Sequence, residues 1–438
     1  MIDLQIRKST NFENFETEIS NLNSKDIHSF FNDFIVNYIK LDKTYGFTES
    51  FDKEFIFEQL NNNSGIGALA YVPFGVKDVF NTRNLPTSMG SELWSGFKAG
   101  NNARVIDNII LNGGIVFSKT TTAEFAVHFI SPGKTLNPYN IKHITGTSSS
   151  GSAVAVESGA LPISLGTQTA GSIIRPASFC GIYGFKPSFG AIDRTGVLKT
   201  NDTFDTIGFL SADLYGIKKS FINLFQNGKD YPYSSLFFEN IEKYKKHDSK
   251  FKIGLIDNSI DLIKNFSHEV MSDFEIVKSI LSKSYDLMDM KGIDFLNDIH
   301  SIHEKMYSKS LSYYFKNEMK QNQKVSNIMV EMIKKGEDIT AEHYVNIAKQ
   351  QPVLISKMNK IFEDFDFIII PSTATPAPKI GSKEINDTCL IWTFLGYPSL
   401  TIPLFINKEN LPYGLQIISK KYNDFALIDF AKKIENEF

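Results

Sequence analysis

Cysteine is scarce in this chain: Cys180 and Cys389 are the only two in 438 residues, and they lie far apart in sequence. That supports neither a disulfide framework nor a cysteine-rich zinc site, and a reducing, cytoplasmic setting is expected. An excess of charge of one sign is also missing. The 46 Lys and Arg stand against 49 Asp and Glu for a net charge of −3, and the longest basic run is Lys245-Lys246-His247. A phosphate-backbone footprint is therefore absent, and nucleic acid is not expected as a ligand. No apolar run is long enough to span a bilayer, and the opening residues carry Asp3 and no apolar h-region. Neither export nor a membrane partner is expected.

Several common catalytic signatures are missing too. The chain has no G-x-x-x-x-G-K-[ST], no H-E-x-x-H and no G-x-S-x-G, so a nucleophile-elbow serine hydrolase is not indicated. His300 and His303, followed by Glu304 in "HSIHEK", share a helix face at i, i+3, but no further ligands stand nearby to complete a metal shell. They read as a solvated helix face.

What remains is an ordinary globular composition, 42% hydrophobic and 22% charged, with a marked change of texture along the chain. Residues 1–65 form a polar flank whose "IHSFFNDFIVNYIKLDK" has helical spacing. Residues 67–210 are rich in glycine, serine and short apolar runs such as "GGIVFSK" and "LPISLG", which read as buried strands. Residues 212–365 show helical periodicity and little glycine, as in "IDLIKNFSHEVMSDFEIVKSILSK" (260–283) and "KVSNIMVEMIKKG", and read as a mostly helical layer. Residues 366–438 return to strands in "DFDFIIIP", "LTIPLF" and "YGLQIIS". Because those strands bring few helices of their own to cover them, a single α/β domain spanning 1–438 is expected, with the sheet completed from both halves.

Chemistry concentrates in residues 144–176, "ITGTSSSGSAVAVESGALPISLGTQTAGSIIRP". A Gly/Ser linker would suit "GTSSSGS" alone, but the small apolar run after it belongs against a core. Helix capping would use one serine, not four. In "TQTAGS" the side chains of Ala170 and Gly171 are minimal, leaving successive backbone N–H groups of Thr169, Ala170, Gly171 and Ser172 open to converge on a reacting carbonyl. Ser172 ends that loop as the natural nucleophile, yet a serine hydroxyl needs a base and no histidine lies in the segment. Lys77, in the apolar run "YVPFGVKDVFNT", offers one, since a buried lysine stays neutral near pH 7.

Together these segments resemble the amidase signature family. The likeness runs from "LAYVPFGVKD" and "LPTSMGSE" through "GGIVFSKTTTAEFAV", "GTSSSGSAVAV" and "GTQTAGSIIRPASFCGIYGFKPSFG" to "IIIPSTATPAPKIGS" and "LGYPSLTIPLFINKENLPYGLQIIS". It implies a mixed central sheet flanked by helices, with helices covering the active site. It also implies hydrolysis of a small amide by a Ser-Ser-Lys triad, without metal or cofactor. Lys77 matches the base, Ser172 the acyl-accepting nucleophile, and Ser148, the first serine of the pair, the bridging serine usually preceded by a cis peptide.

Two departures bear on substrate. Many members read "GTDTGGS", where this chain has Gln168 and Ala170, and their arginine often stands two residues after the nucleophile, whereas here Ile174 takes that place and Arg175 follows. The variant resembles a malonamidase-like branch, in which the arginine approaches a substrate carboxylate; a structural role for Arg175 is the alternative. Arg175, Gln168, Thr147 and His128 are the candidate substrate contacts, with Val127 and Phe129 beside an acyl pocket built partly from 212–365. The competing functions are the glutaminase subunit of a tRNA-dependent amidotransferase and a catalytically silent binding protein. A homodimer stays open as the oligomeric state.

Overall fold

The computed structural model describes residues 11–127, 133–227, 233–246, 249–256, 260–382 and 385–438. Their strands join in one sheet. In chain order they are β1 (Thr48–Phe51), β2 (Pro73–Lys77), β3 (Ile115–Thr120), β4 (Ile163–Gln168), β5 (Tyr183–Lys186) and β6 (Thr206–Ser211). These are followed by β7 (Lys252–Leu255), β8 (Asp286–Asp289), β9 (Phe367–Pro371), β10 (Ser399–Ile406) and β11 (Pro412–Ser419). Across the sheet the order is β1-β3-β2-β4-β6-β5-β10-β11-β9-β7-β8. β2 runs parallel to β3 and β4, and β7 parallel to β8 and β9, while the remaining pairs are antiparallel. The expected mixed sheet is therefore present, and β10 joins β5 of the Gly/Ser-rich segment to the C-terminal strands.

β3 shows why the strands read as continuous apolar runs. Successive side chains of a strand point to opposite faces. Ile115 and Phe117 enter the cluster beneath the N-terminal helices with Phe31, Ile35 and Val154, whereas Val116 enters the larger cluster with Phe74, Val76 and Leu165. Both faces are covered, so no polar alternation survives. The predicted N-terminal helix is Ser24–Tyr45, started by Asn23, whose side chain accepts from the N–H groups of Lys25 and Asp26, and stopped at left-handed Gly46.

Two expectations change. The helix predicted over 260–283 spans only His268–Leu281, because Ser267 caps it by accepting from the Val270 N–H and the chain before it makes a separate turn, Ile263–Asn265. The layer 212–365 also contributes β7 and β8. β7 has only four residues and β8 is a polar edge strand with no buried side chain, so neither carries a periodic hydrophobic signal. Among the described residues no helix is long and apolar enough to cross a membrane.

Candidate active site

Parallel pairing of β2 with β4 brings their C-terminal ends to the same edge of the sheet, where open α/β sheets place ligands. Lys77 ends β2, and the loop 169–173 follows β4. The chain between β3 and β4 returns through the turn Thr147–Ser149 and the buried helix Ser150–Glu157. Gly151 lets that helix press onto the end of β3, since a Cβ there would lie 2.4 Å from the Thr121 nitrogen.

Lys77 is fully buried, and its Nζ lies 2.6 Å from Ser148 Oγ, 2.9 Å from Thr167 Oγ1 and 3.4 Å from the Thr167 carbonyl oxygen. Burial holds its pKa well below the usual lysine value, with the charge of Asp205 pulling the other way. The Ser148 hydroxyl also reaches the carbonyl of Ala126 at 3.1 Å. Phe125 and Ala126 both have positive φ, 49° and 58°, a costly backbone state for residues with side chains, and it turns the Ala126 carbonyl to Ser148. Ser149 Oγ is 3.4 Å from the Thr167 carbonyl and Ser152 Oγ 2.9 Å from that of Leu165, so the serine run is distributed over the core and none of these is a linker residue. The implied cis peptide at Ser148 is not found: no cis peptide occurs among the described residues, and trans is the default for a non-proline bond.

Ser172 retains 9% exposure. The N–H groups of Ala170, Gly171 and Ser172 have no hydrogen-bond partner among the described residues, and neither has the Ser172 hydroxyl. Ile173 and Ile174 are completely buried and anchor the loop. A Cβ at position 171 would lie 2.8 Å from Arg175 Nη2 and 3.1 Å from the Cys389 Cβ, so this position admits only glycine unless neighbours move.

Gln168 is wholly engaged inside the protein. Its Oε1 accepts from the N–H groups of Ile173 (2.7 Å) and Ile174 (2.9 Å), starting the helix Ile174–Phe179, and its Nε2 donates to Thr393 Oγ1 at 2.9 Å. Arg175 forks onto Asp387, with Nε 2.8 Å from Oδ2 and Nη2 3.3 Å from Oδ1. Asp387 in turn accepts from the Cys389 N–H at the start of helix Cys389–Leu395. Thr147 opens the turn that carries Ser148. Val127 is buried, while His128 and Phe129 lie outside the described residues.

The histidine pair is corrected. His303 is 3% exposed, not solvated, and its Nε2 lies 2.9 Å from the Thr169 carbonyl oxygen. Burial drives its pKa down to about 4, and burial also lowers that of His300, against the pull of nearby Asp387. The helix Ile299–Tyr314 packs over the site, so its histidine face meets protein. No group of three or more metal-ligating side chains forms among the described residues.

Other residues with roles here went unread in the sequence. Asp205 accepts from Thr169 Oγ1 at 2.7 Å and pairs with Arg194 at 3.1 Å. Asp78 and Lys119, both fully buried, pair at 3.1 Å directly after Lys77 and brace the strand end. Thr167, Asp78 and Lys119 sat inside the motifs already singled out; Asp205 and Arg194 did not.

The Amidase family model matches residues 34–428. The chain therefore belongs to the amidase signature family, hydrolases acting on C–N bonds. A glutamyl-tRNA(Gln) amidotransferase subunit from Clostridium botulinum (strain Eklund 17B / Type B) is 28% identical over 428 residues, covering 88% of this chain and 87% of its own length. Peptide amidase from Stenotrophomonas maltophilia superposes with a TM-score of 0.81 at 21% identity, over 98% of this chain and 97% of that one. A 6-aminohexanoate cyclic dimer hydrolase gives 0.84 at 17% identity, over 100% and 98%. At those identities the structural likeness establishes the fold.

Proposed function

We propose that the protein hydrolyses the C–N bond of a small amide through an acyl-enzyme on Ser172. The observation that carries this reading is the buried, charge-disfavoured Lys77 at 2.6 Å from Ser148, beside a loop with three N–H groups that have no partner among the described residues. Neutral Lys77 takes the Ser148 hydroxyl proton as Ser148 takes that of Ser172, and the Ser172 oxygen bonds to the amide carbon. Backbone N–H groups from Thr169 to Ser172 receive the developing oxyanion. The proton returns along the relay to the leaving nitrogen as the C–N bond breaks, and water then releases the acid. None of these steps calls for a metal or an organic cofactor.

For substrate choice, Arg175 is the informative residue. A malonamidase-like role would set a substrate carboxylate on its guanidinium, but Asp387 already occupies that fork, so we assign Arg175 to holding the loop against helix Cys389–Leu395. Gln168 has the same kind of role, and Thr147 and His128 are kept as candidate substrate contacts. A cavity of about 10 Å³ touching Thr167, Thr169 and Asp205 shares Val79, Val197 and Leu198 with one of about 320 Å³ lined by Met89, Trp94, Phe97, Phe125 and Phe315. That lining, mostly apolar and aromatic but including Asn81, Lys199 and Glu318, favours amides bearing an apolar group.

Similarity to a tRNA-dependent amidotransferase component supports a second reading, a glutaminase working with partner proteins. Two assays separate the readings. A fluorophosphonate is expected to label Ser172, with labelling lost in Ser172→Ala, and a hydrolysis screen is expected to favour apolar amides over L-glutamine and over carboxylate-bearing amides. An unlabelled, well-folded protein removes the acyl-enzyme reading; preference for glutamine selects the second.

A further inference from the structure

We propose that His303 is a positioning residue that aims the oxyanion-binding N–H of Ala170 by holding the carbonyl of Thr169. In a trans peptide the C=O and the following N–H point to opposite sides of one rigid plane. Whatever fixes the Thr169 oxygen therefore fixes the Ala170 N–H. His303 Nε2 holds that oxygen at 2.9 Å. A carbonyl oxygen only accepts, so the ring carries its hydrogen on Nε2. The ring is itself immobilised, with its centroid 4.7 Å from that of Phe204 and 5.6 Å from that of Tyr307.

The adjoining peptide is treated in the same way. Thr393 Oγ1, which also lies 3.0 Å from the Cys389 carbonyl, donates its one hydrogen to the nearer Ala170 carbonyl at 2.7 Å while receiving Gln168 Nε2 at 2.9 Å, and this orients the Gly171 N–H. The Thr169 side chain is tied separately to Asp205. An external clamp is needed because of what makes the loop useful. Ala170 and Gly171 are bare enough to admit a substrate carbonyl, and for that reason they have no side chains with which to hold their own peptide planes. Oxyanion stabilisation depends on donors aimed before the charge develops. The helical layer and helix Cys389–Leu395 supply from outside the rigidity the loop lacks.

This inference rests on the Ser172 acyl-enzyme reading, and labelling of the full chain by a fluorophosphonate tests the two separately. Absence of labelling in the wild type would overturn that reading. With labelling established, the maximal inactivation rate and the half-saturating probe concentration are measured for His303→Leu, His303→Gln and Thr393→Val, alongside melting temperature. His303→Leu is expected to lower the maximal rate about 10- to 100-fold, less than the roughly 10²–10³-fold loss on removing an oxyanion donor outright, with half-saturation changed less than about twofold. His303→Gln, whose side-chain amide can donate to the same carbonyl, should recover much of the rate, and Thr393→Val should lower it in the same manner. A folded His303→Leu protein reacting at the wild-type rate would overturn the proposal, as would a glutamine variant no faster than the leucine one. Should the leucine variant fail to fold, the glutamine and Thr393→Val rates decide: near-wild-type rate with His303→Gln and a selective fall with Thr393→Val support the clamp, and an unchanged Thr393→Val rate overturns it.

Discussion

The segment 67–210 and the layer 212–365 both reach the loop 169–173, yet they differ in how their residues act. The first supplies the groups proposed to react, Lys77, Ser148 and Ser172, from strand ends and turns whose backbone must approach closely. The second supplies His303, whose Nε2 meets the loop at the carbonyl of Thr169. Chemistry at the loop depends on atoms within hydrogen-bond reach and so imposes residue types at fixed spacing. Support from the layer requires only a donor at the right point in space, which any suitably placed helix can provide.

That contrast is testable, beginning with the largest expected effect. Lys77→Met removes the base but keeps the apolar stem, and should cut amide hydrolysis about 10²–10⁴-fold, the usual contribution of general acid–base catalysis, while the protein still melts cooperatively. A rate within tenfold of wild type would take Lys77 out of the chemistry and erase the difference between the regions. The pH profile should sharpen it: since Lys77 must be neutral and its pKa is held below the usual lysine value, activity should already be present near neutral pH and fall on acidification.

Arg175→Ala should come next. Breaking a buried pair leaves Asp387 uncompensated, at a cost on the order of 3–5 kcal/mol. The expectation is a lowered melting temperature and a loss of activity uniform across amides. Selective loss on carboxylate-bearing amides would return Arg175 to the substrate pocket. The smallest effect concerns His303 and the stability of the fold. Above pH 6.5 the ring is neutral in both folded and unfolded chains; as pH falls from 6.5 toward about 4, the unfolded chain binds a proton that the folded ring refuses, so stability declines. His303→Gln should flatten that part of the stability-versus-pH curve in chemical denaturation, and an unchanged slope would mean that the ring is not held neutral.

Legibility followed the same division. The strands of 67–210 could be read because β2 and β3 are buried on both faces, and the loop could be read because Ala170 and Gly171 are bare where bulk would block a carbonyl. β7 and β8 were hidden by their shortness, and β8 also by its polarity. His303 was misread because it was read only with His300 and Glu304; Ile299, Met306 and Tyr307, at i−4, i+3 and i+4, put it on the buried face of its helix, where the ring lies against Phe204.

By itself, the sequence determined the buried strands, the bare loop and the pairing of a lysine with serines, because backbone access and burial constrain residue type locally. Only the tertiary structure decided that Asp387 occupies the Arg175 fork, that Gln168 turns inward to Thr393, and that His303 and Thr393 hold two successive carbonyls. Those partners lie 134 to 225 positions away along the chain. A hydrogen bond needs two groups within about 3 Å of each other, and no periodicity in one segment records which distant helix will bring the second.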